Sequence, residues 1–221
     1  TRGARSLSPT DRLERLIDIP IVLQLNRATV KLEANGGLGL INLRPDVHDP
    51  ILDALTQGPM TMREMLSRPE IANVGVVRVV QAVTILIGQG YLFPASMPGS
   101  VGNNLQAAMQ IRKESSDRFN QAVVAASRYD TQWGHLASPL TGAALTTNRF
   151  QLMFLDARAR GETSPDAWGA FAHRQLVAQG VSLVKEGKKL ETPEENLAEL
   201  QRQAREFSER ELPVFRAHGV C

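Results

Sequence analysis

The stretch "VKLEANGGLGLINL", Val30 to Leu43, decides between two architectures. A short apolar run ends in an acid, Glu33, and glycines cluster at Gly36, Gly37 and Gly39, in the manner of a strand feeding a nucleotide-cofactor loop. Such a loop sets three requirements. Glycines let the backbone approach the ligand, a helix follows at once to offer its N-terminal amides, and a ribose-binding acid ends the next strand. This stretch meets the first loosely and fails the second, because Leu38, Leu40, Ile41, Asn42 and Leu43 are β-prone and stopped by Pro45. Before the glycines, Thr29, Lys31 and Glu33 alternate with Val30, Leu32 and Ala34, the period-two pattern of a half-buried strand. Strand, Asn35-Gly36, strand is a hairpin signal, since a tight turn needs positive φ and Asn-Gly supplies it. The stretch reads as a turn and not as a cofactor loop.

Working outward, "SPTD" from Ser8 opens a helix on Leu13, Leu16 and Ile17 that Pro20 interrupts. After the hairpin, "PDVHDPILDALTQGP" predicts a helix capped by Asp49, with Pro50 at its first position and Gly58-Pro59 at its end. "MTMREMLSRPE" predicts a second helix capped by Thr61, with Met62, Met65 and Leu66 inward. A third runs from about Val74 to Ile87, closes at Gly88 to Gly90 and leads into an extended "YLFPA". Three short helices with β structure beside them describe a winged-helix-like module.

A linker rich in Pro, Gly and Ser, "SMPGSVGNN", leads into a helical second half. Its first helix spans Asn103 to about Arg128, with Leu105, Ala108, Met109, Phe119, Val123 and Ala126 at helical spacing. "NRFQLMFLDARARG" is a compact buried helix, and "SPDAWGAFAHRQLVAQG" starts on Ser164 with Pro165 at the first position. In the last helix Thr192 caps, Pro193 follows, Glu195 completes a capping box, and Leu197, Leu200, Ala204 and Phe207 form the inner stripe. The expected fold class is α+β, mainly α. Residues 1–27 form an N-terminal connector with a helix, residues 28–98 the winged-helix-like module with its hairpin, and residues 99–221 a helical C-terminal domain.

Composition bounds the function. The chain has 221 residues, 43% hydrophobic and 22% charged, as in an ordinary globular protein. A net charge of +2 implies no dominant basic face for nucleic acid. The single cysteine, Cys221, excludes an intramolecular disulfide and a cysteine-built metal site, which fits a reducing cytoplasm. No apolar run approaches the roughly 20 residues of a membrane span, and "TRGARSLSPTDRL" is no signal peptide. A start at Thr1 without methionine sets the expectation of a piece of something longer.

Candidate sites are few. A DNA-reading helix needs several exposed Arg, Lys, Asn or Gln side chains. Between Val74 and Tyr91 the only cation is Arg78 and the only amides are Gln81 and Gln89, so this nearly all-apolar helix is expected to be buried against protein. His48, His135, His173 and His218 lack metal-ligand spacing and read as surface or partly packed residues. His135 near Ser138 has neither the elbow nor the third group of a nucleophile and base. Trp133 and Trp168 read as core anchors, "KEGKK" (Lys185 to Lys189) as a solvated turn, and Met60, Met62 and Met65 as core filling. No catalytic, cofactor-binding or metal-ligating residue is assigned, and the chain is not expected to be an enzyme.

Beyond this, "ASPLTG" at Ala137 to Gly142, the helix from Arg149, "LVAQG" with "LVKEGK", "ETPEENL" and the closing "LPVFRAHGV" form a connected pattern. It resembles the C-terminal region of bacterial class I S-adenosylmethionine-dependent methyltransferases that carry a methyltransferase regulatory domain, some of them protein-lysine methyltransferases. "DPILDALTQGPMTMREML" and "GQGYLFPA" extend the resemblance to about Asp46 to Val220. It implies a Rossmann-like catalytic domain upstream, which would bind the S-adenosylmethionine and be this chain's partner. This chain itself is then expected to hold no cofactor. The matching motifs are caps, turns and apolar stripes, so no catalytic residue carries over. The expected function is a non-catalytic regulatory or substrate-recognition region; the alternative is a winged-helix DNA-binding transcriptional regulator. A protein substrate and a second copy of the chain are further partners left open, while membrane and nucleic acid are not expected.

Overall fold

The structure is a computed structural model that describes residues 7–37, 39–96 and 103–220. Leu38, most of the Pro/Gly/Ser linker, Cys221 and the side chains of Leu105, Ala108 and Met109 lie outside what it describes. The chain is α+β and mainly α, and it divides into two compact units, 1–102 and 103–221.

The first unit opens with α1 (Pro9–Ile17), capped by Ser8, whose hydroxyl accepts the Asp11 N–H at 3.1 Å. Pro20 does more than interrupt this helix, because it begins a strand, β1 (Pro20–Leu23), buried along its whole length. A proline tolerates the first strand position, and Ile21 and Val22 supply β-branched bulk. A single 3-10 turn, Arg27–Thr29, precedes the hairpin β2 (Glu33–Gly36) and β3 (Gly39–Asn42). Hairpin and alternation are as read, with Val30 and Ala34 buried and Lys31 and Glu33 exposed. The turn itself sits two residues later than Asn35-Gly36. Asn35 pairs with Leu40 and Gly36 with Gly39, so the chain reverses after Gly36, with Gly37 in the turn, and Gly39 takes the positive φ of +112°. With three glycines in four residues, the pairing register and not the Asn-Gly step places the turn.

α2 (Pro45–Leu55) starts five residues before the position suggested by an Asp49 cap, and Pro50 lies inside it. Asp49 is spent elsewhere: it receives Arg27, whose Nε also reaches Asp53 at 2.7 Å. β4 (Met60–Thr61) runs into α3 (Met62–Leu66), where Thr61 and Glu64 form a capping box. Then come α4 (Pro69–Ala72), α5 (Val76–Gly88) and β5 (Leu92–Pro94). The sheet order is β4-β1-β5, antiparallel throughout, with Ile21 opposite Met60 and Leu23 opposite Leu92. The three-stranded sheet of this unit is therefore built around a strand that the sequence reading assigned to a connector, while the Gly36 hairpin is a separate two-stranded piece. Ile17, Ile21, Ile51, Leu52, Met65 and Leu86 are among the side chains of one continuous core.

The second unit starts with α6 (Asn103–Ala126) and a hairpin, β6 (His135–Ala137) with β7 (Ala144–Thr146). It continues with α7 (Arg149–Ala159), α8 (Pro165–Ala178), a two-residue-stranded hairpin β8 (Val184–Lys185) and β9 (Lys188–Lys189), and α9 (Pro193–Ala217). The caps at Ser164 and Thr192 are those expected, and α9 runs through Pro213, which is exposed. α6 departs from its apolar stripe. Phe119 is exposed, and the buried face carries Ser116, Asn120, Val123 and Ser127. Asn120 repays its burial by clamping Ala137, accepting its N–H at 2.7 Å and donating to its carbonyl at 2.9 Å. Phe154, Trp168, Phe207 and Phe215 fill the core with tilted and edge-on ring contacts. Trp133, by contrast, is 43% exposed and anchors nothing there.

Candidate functional site

α5 is the helix on which the functional readings divide. Gly75 caps it at φ +82°, a conformation that only glycine adopts freely, so the chain can turn sharply out of α4. Val79, Ala82, Val83 and Leu86 are buried. Val77, Arg78, Gln81, Thr84 and Ile85 share the opposite face, at the i, i+1, i+4, i+7, i+8 spacing of one helical stripe, and all are exposed. One face packs and the other is open, because the unit's remaining elements cover a single side.

The hairpin is bonded to the end of this helix. The Asn35 N–H donates to Gln89 Oε1 at 3.3 Å, which ties β2 to the C-terminal end of α5. Leu40, Ile41 and Val77 are left 64%, 52% and 62% exposed. A surface that keeps aliphatic side chains in water beside polar ones has the composition of a protein-contact patch.

Between α2 and α5 lies a hollow of about 210 Å³ whose walls include Arg44, Val47, His48, Arg78, Gln81 and Ile85. Arg44 forks onto Asp46, with Nε to Oδ1 at 3.1 Å and Nη2 to Oδ2 at 2.5 Å. Those bonds hold the Asp46 carboxyl below its ordinary value, against a smaller opposing effect of desolvation and with a minor contribution from Arg78. Arg78 forms no ion pair among the described residues. His48 is buried, more deeply than its reading as a surface or partly packed residue, and its Nδ1 lies 2.8 Å from the Arg44 carbonyl oxygen. A carbonyl has no proton to give, so Nδ1 carries the hydrogen. Nε2 has no hydrogen-bond partner among the described residues. Once the helix is started at Pro45, the signal for this burial is visible: His48 shares the inward face with Val47, Ile51, Leu52 and Leu55.

In the second unit, Ser138 does meet a histidine, but the partner is His218 and not His135. Ser138 Oγ lies 3.0 Å from His218 Nδ1 and accepts the Thr141 N–H at 3.2 Å. Both side chains are sealed from solvent, so the pair fastens the 138–141 turn to the end of α9 and offers no substrate a nucleophile. Gly219, at φ +72°, brings the chain within 3.3 Å of Pro139, measured from where a Cβ would stand. His135 is exposed on β6, opposite Thr146. A larger hollow of about 410 Å³ lies between α6 and α7. Its Asn120 is committed to Ala137, and its Asp156 is paired with Arg128 at 3.1 Å and Arg160 at 3.0 Å. Among the described residues no three His, Cys, Asp or Glu side chains gather as a metal site would require. None of the described helices is long and apolar enough to cross a membrane.

Over 219 residues, 99% of its length, the chain is 32% identical to the uncharacterized protein sll1526 of Synechocystis sp.. The chain spans 41% of that relative's length. No protein-family model and no solved structure matches.

Proposed function

We propose that this chain is a regulatory or substrate-recognition region of a bacterial S-adenosylmethionine-dependent methyltransferase, itself non-catalytic, with its open α5 and hairpin face turned to protein. The observation that carries this is the set of uncovered aliphatic side chains, Leu40 and Ile41 on the hairpin and Val77 and Ile85 beside Arg78 and Gln81 on α5. Two further features support it. The motifs that carry the resemblance are spent on one another, Ser138 on His218 and Pro139 against Gly219, as expected of a structural and not a chemical role. The similar protein of Synechocystis sp. also continues well beyond the matched region, leaving room for a separate catalytic part. The test has two steps. Reading the gene upstream is expected to show a strand followed by a G-x-G-x-G loop. That domain, expressed separately, is expected to co-purify with this chain and to be lost on Val77→Glu with Ile41→Glu. Retention by the double variant would move the contact off this face; no association with either form would end the methyltransferase reading.

One observation favours the second reading, a DNA-binding transcriptional regulator: Arg78 and Gln81 are exposed side by side on α5. Val77 and Ile85 on the same stripe oppose it, since base edges and phosphates reward neither. Duplex binding at two salt concentrations separates the readings. A protein-contact face predicts a dissociation constant of roughly 10⁻⁴ M or weaker at physiological salt. A reader predicts binding tighter than about 10⁻⁷ M that collapses in Arg78→Ala and falls steeply with salt.

A further inference from the structure

We propose that β3 is the pairing edge of a homodimer. Residues 40–42 of two copies add to one another antiparallel across a two-fold axis at Ile41, which joins the two hairpins into one four-stranded sheet. The inference goes beyond the function proposed above, because it concerns the edge of the hairpin opposite the one bonded to α5.

The argument starts from the main chain. In an antiparallel ladder, opposed residues alternate between pairs that exchange hydrogen bonds and pairs whose N–H and C=O groups turn outward. The Leu43 N–H donates to the Leu32 carbonyl at 2.8 Å, so by the register Ala34 with Ile41 and Gly36 with Gly39 are bonded pairs too. Glu33, Asn35, Leu40 and Asn42 then point their main-chain groups out of the hairpin. The Asn35 N–H obeys this alternation, since it leaves β2 outward to reach Gln89 on α5. Nothing answers on the other side: among the described residues β3 pairs with β2 alone, and all four of its residues are exposed. Open strand edges are blunted by charge or by proline. β5 ends in Pro94 and β9 is two lysines, but Gly39, Leu40, Ile41, Asn42 and Leu43 carry neither device.

The spacing of the outward groups says what fits them. A second β3 running antiparallel sets Leu40 opposite Asn42 of the partner copy, and Asn42 opposite its Leu40. Each of these pairs exchanges two N–H···O=C bonds, and every outward group of both residues is used. Between them Ile41 meets its own counterpart across the axis, an aliphatic cross-strand pair made from a side chain that is 52% exposed in the single copy. No like charges are opposed along the contact. Such an isologous, two-fold arrangement is the commonest form of self-association. Two doubly bonded pairs and one isoleucine pair are a small contact, so the dimer is weak, with a dissociation constant on the order of 10⁻⁴ M.

The test uses the full chain carrying Cys221→Ser, sedimented from micromolar to millimolar concentration, where dimer is expected to appear. Leu40→Pro removes an outward N–H and no bond of the hairpin, and the axis applies the loss twice. It is expected to weaken the dimer about tenfold or more. A second measurement does not depend on how that variant folds. Ile41→Cys sets two thiols on opposed residues whose Cα atoms stand about 4.5 Å apart, within disulfide reach, and is expected to cross-link on mild oxidation. Val184→Cys, exposed on another hairpin, is expected to stay monomeric. A chain monomeric at every concentration, a dimer indifferent to Leu40→Pro, or equal cross-linking at both positions would each overturn the proposal. A monomer that instead adds a strand from the separately expressed catalytic domain, and loses it in Leu40→Pro, would also overturn it. Dimerisation is scored without the catalytic domain, so its failure and that of the methyltransferase reading are told apart.

Discussion

Glu199 shows how one buried charge is made tolerable. Its side chain is 7% exposed, and it accepts hydrogen bonds from Arg202 at 2.5 Å, Lys185 at 2.9 Å and Gln203 at 2.9 Å. The Arg202 bonds are the largest cause of a carboxyl held at about 2 against an ordinary 4.5, with desolvation opposing. A carboxyl with a depressed pKa favours the folded state at pH values above its unfolded value. Its contribution is therefore complete above about 4.5 and is lost as pH falls from there toward 2. We expect Glu199→Gln to cost about 1–3 kcal/mol at pH 6 and to remove this step from the acid limb of stability. Denaturant titrations at pH 6 and pH 3 check it; a variant whose loss is the same at both values would show that the ion pairs contribute nothing. The lysine-rich turn is exposed throughout, as read, and from it Lys185 reaches Glu199 on α9.

At the scale of elements, the crossing of α8 and α9 is set by one missing side chain. A Cβ built on Gly169 would stand 2.7 Å from both the backbone N and Cα of Gln201, so the helices meet almost backbone to backbone. Because the obstructing atoms are main chain, they have no rotamer into which to retreat. Gly169→Ala is expected to destabilise the second unit by about 2 kcal/mol or more, even though alanine is the better helix former. A rise in midpoint denaturant concentration would refute this. Helix starts with a side-chain cap at Thr61, Ser164 and Thr192 were legible in the sequence because capping is local, each acting within three residues. The hairpin was legible for the same reason, although its turn slid two residues among the glycines. What could not be read were the pairings of distant parts. Nothing near Pro20 announces that Ile21 to Leu23 will sit between two other strands. Of the candidate site, Arg78 and Gln81 were visible as the polar residues of α5, but their exposure depends on what the rest of the unit leaves uncovered. His48 was hidden behind a misplaced helix start.

At the scale of the whole molecule, each unit has its own core and its own buried side chains. Multi-domain chains of this kind depart from a single all-or-none transition. Scanning calorimetry of the full chain is expected to show two transitions, with Gly169→Ala lowering one midpoint by several degrees and leaving the other in place. A single transition that shifts as one would show that the two units melt as one cooperative block.

The central place of β1 bears on the order in which the first unit can be made. Leu23 pairs with Leu92 and Ile21 with Pro94, so the sheet joins nearly the two ends of the unit. Within the unit β1 leaves the ribosome before both strands that flank it, β4 first and β5 last. The hairpin and the Thr61 cap form from neighbours and need not wait. Closure across so long a loop makes this a high-contact-order step, slow compared with the local turns around it. Until then a fully apolar strand stays exposed to whatever binds nascent chains. The unit's earliest strand gains its last neighbour only when β5 arrives.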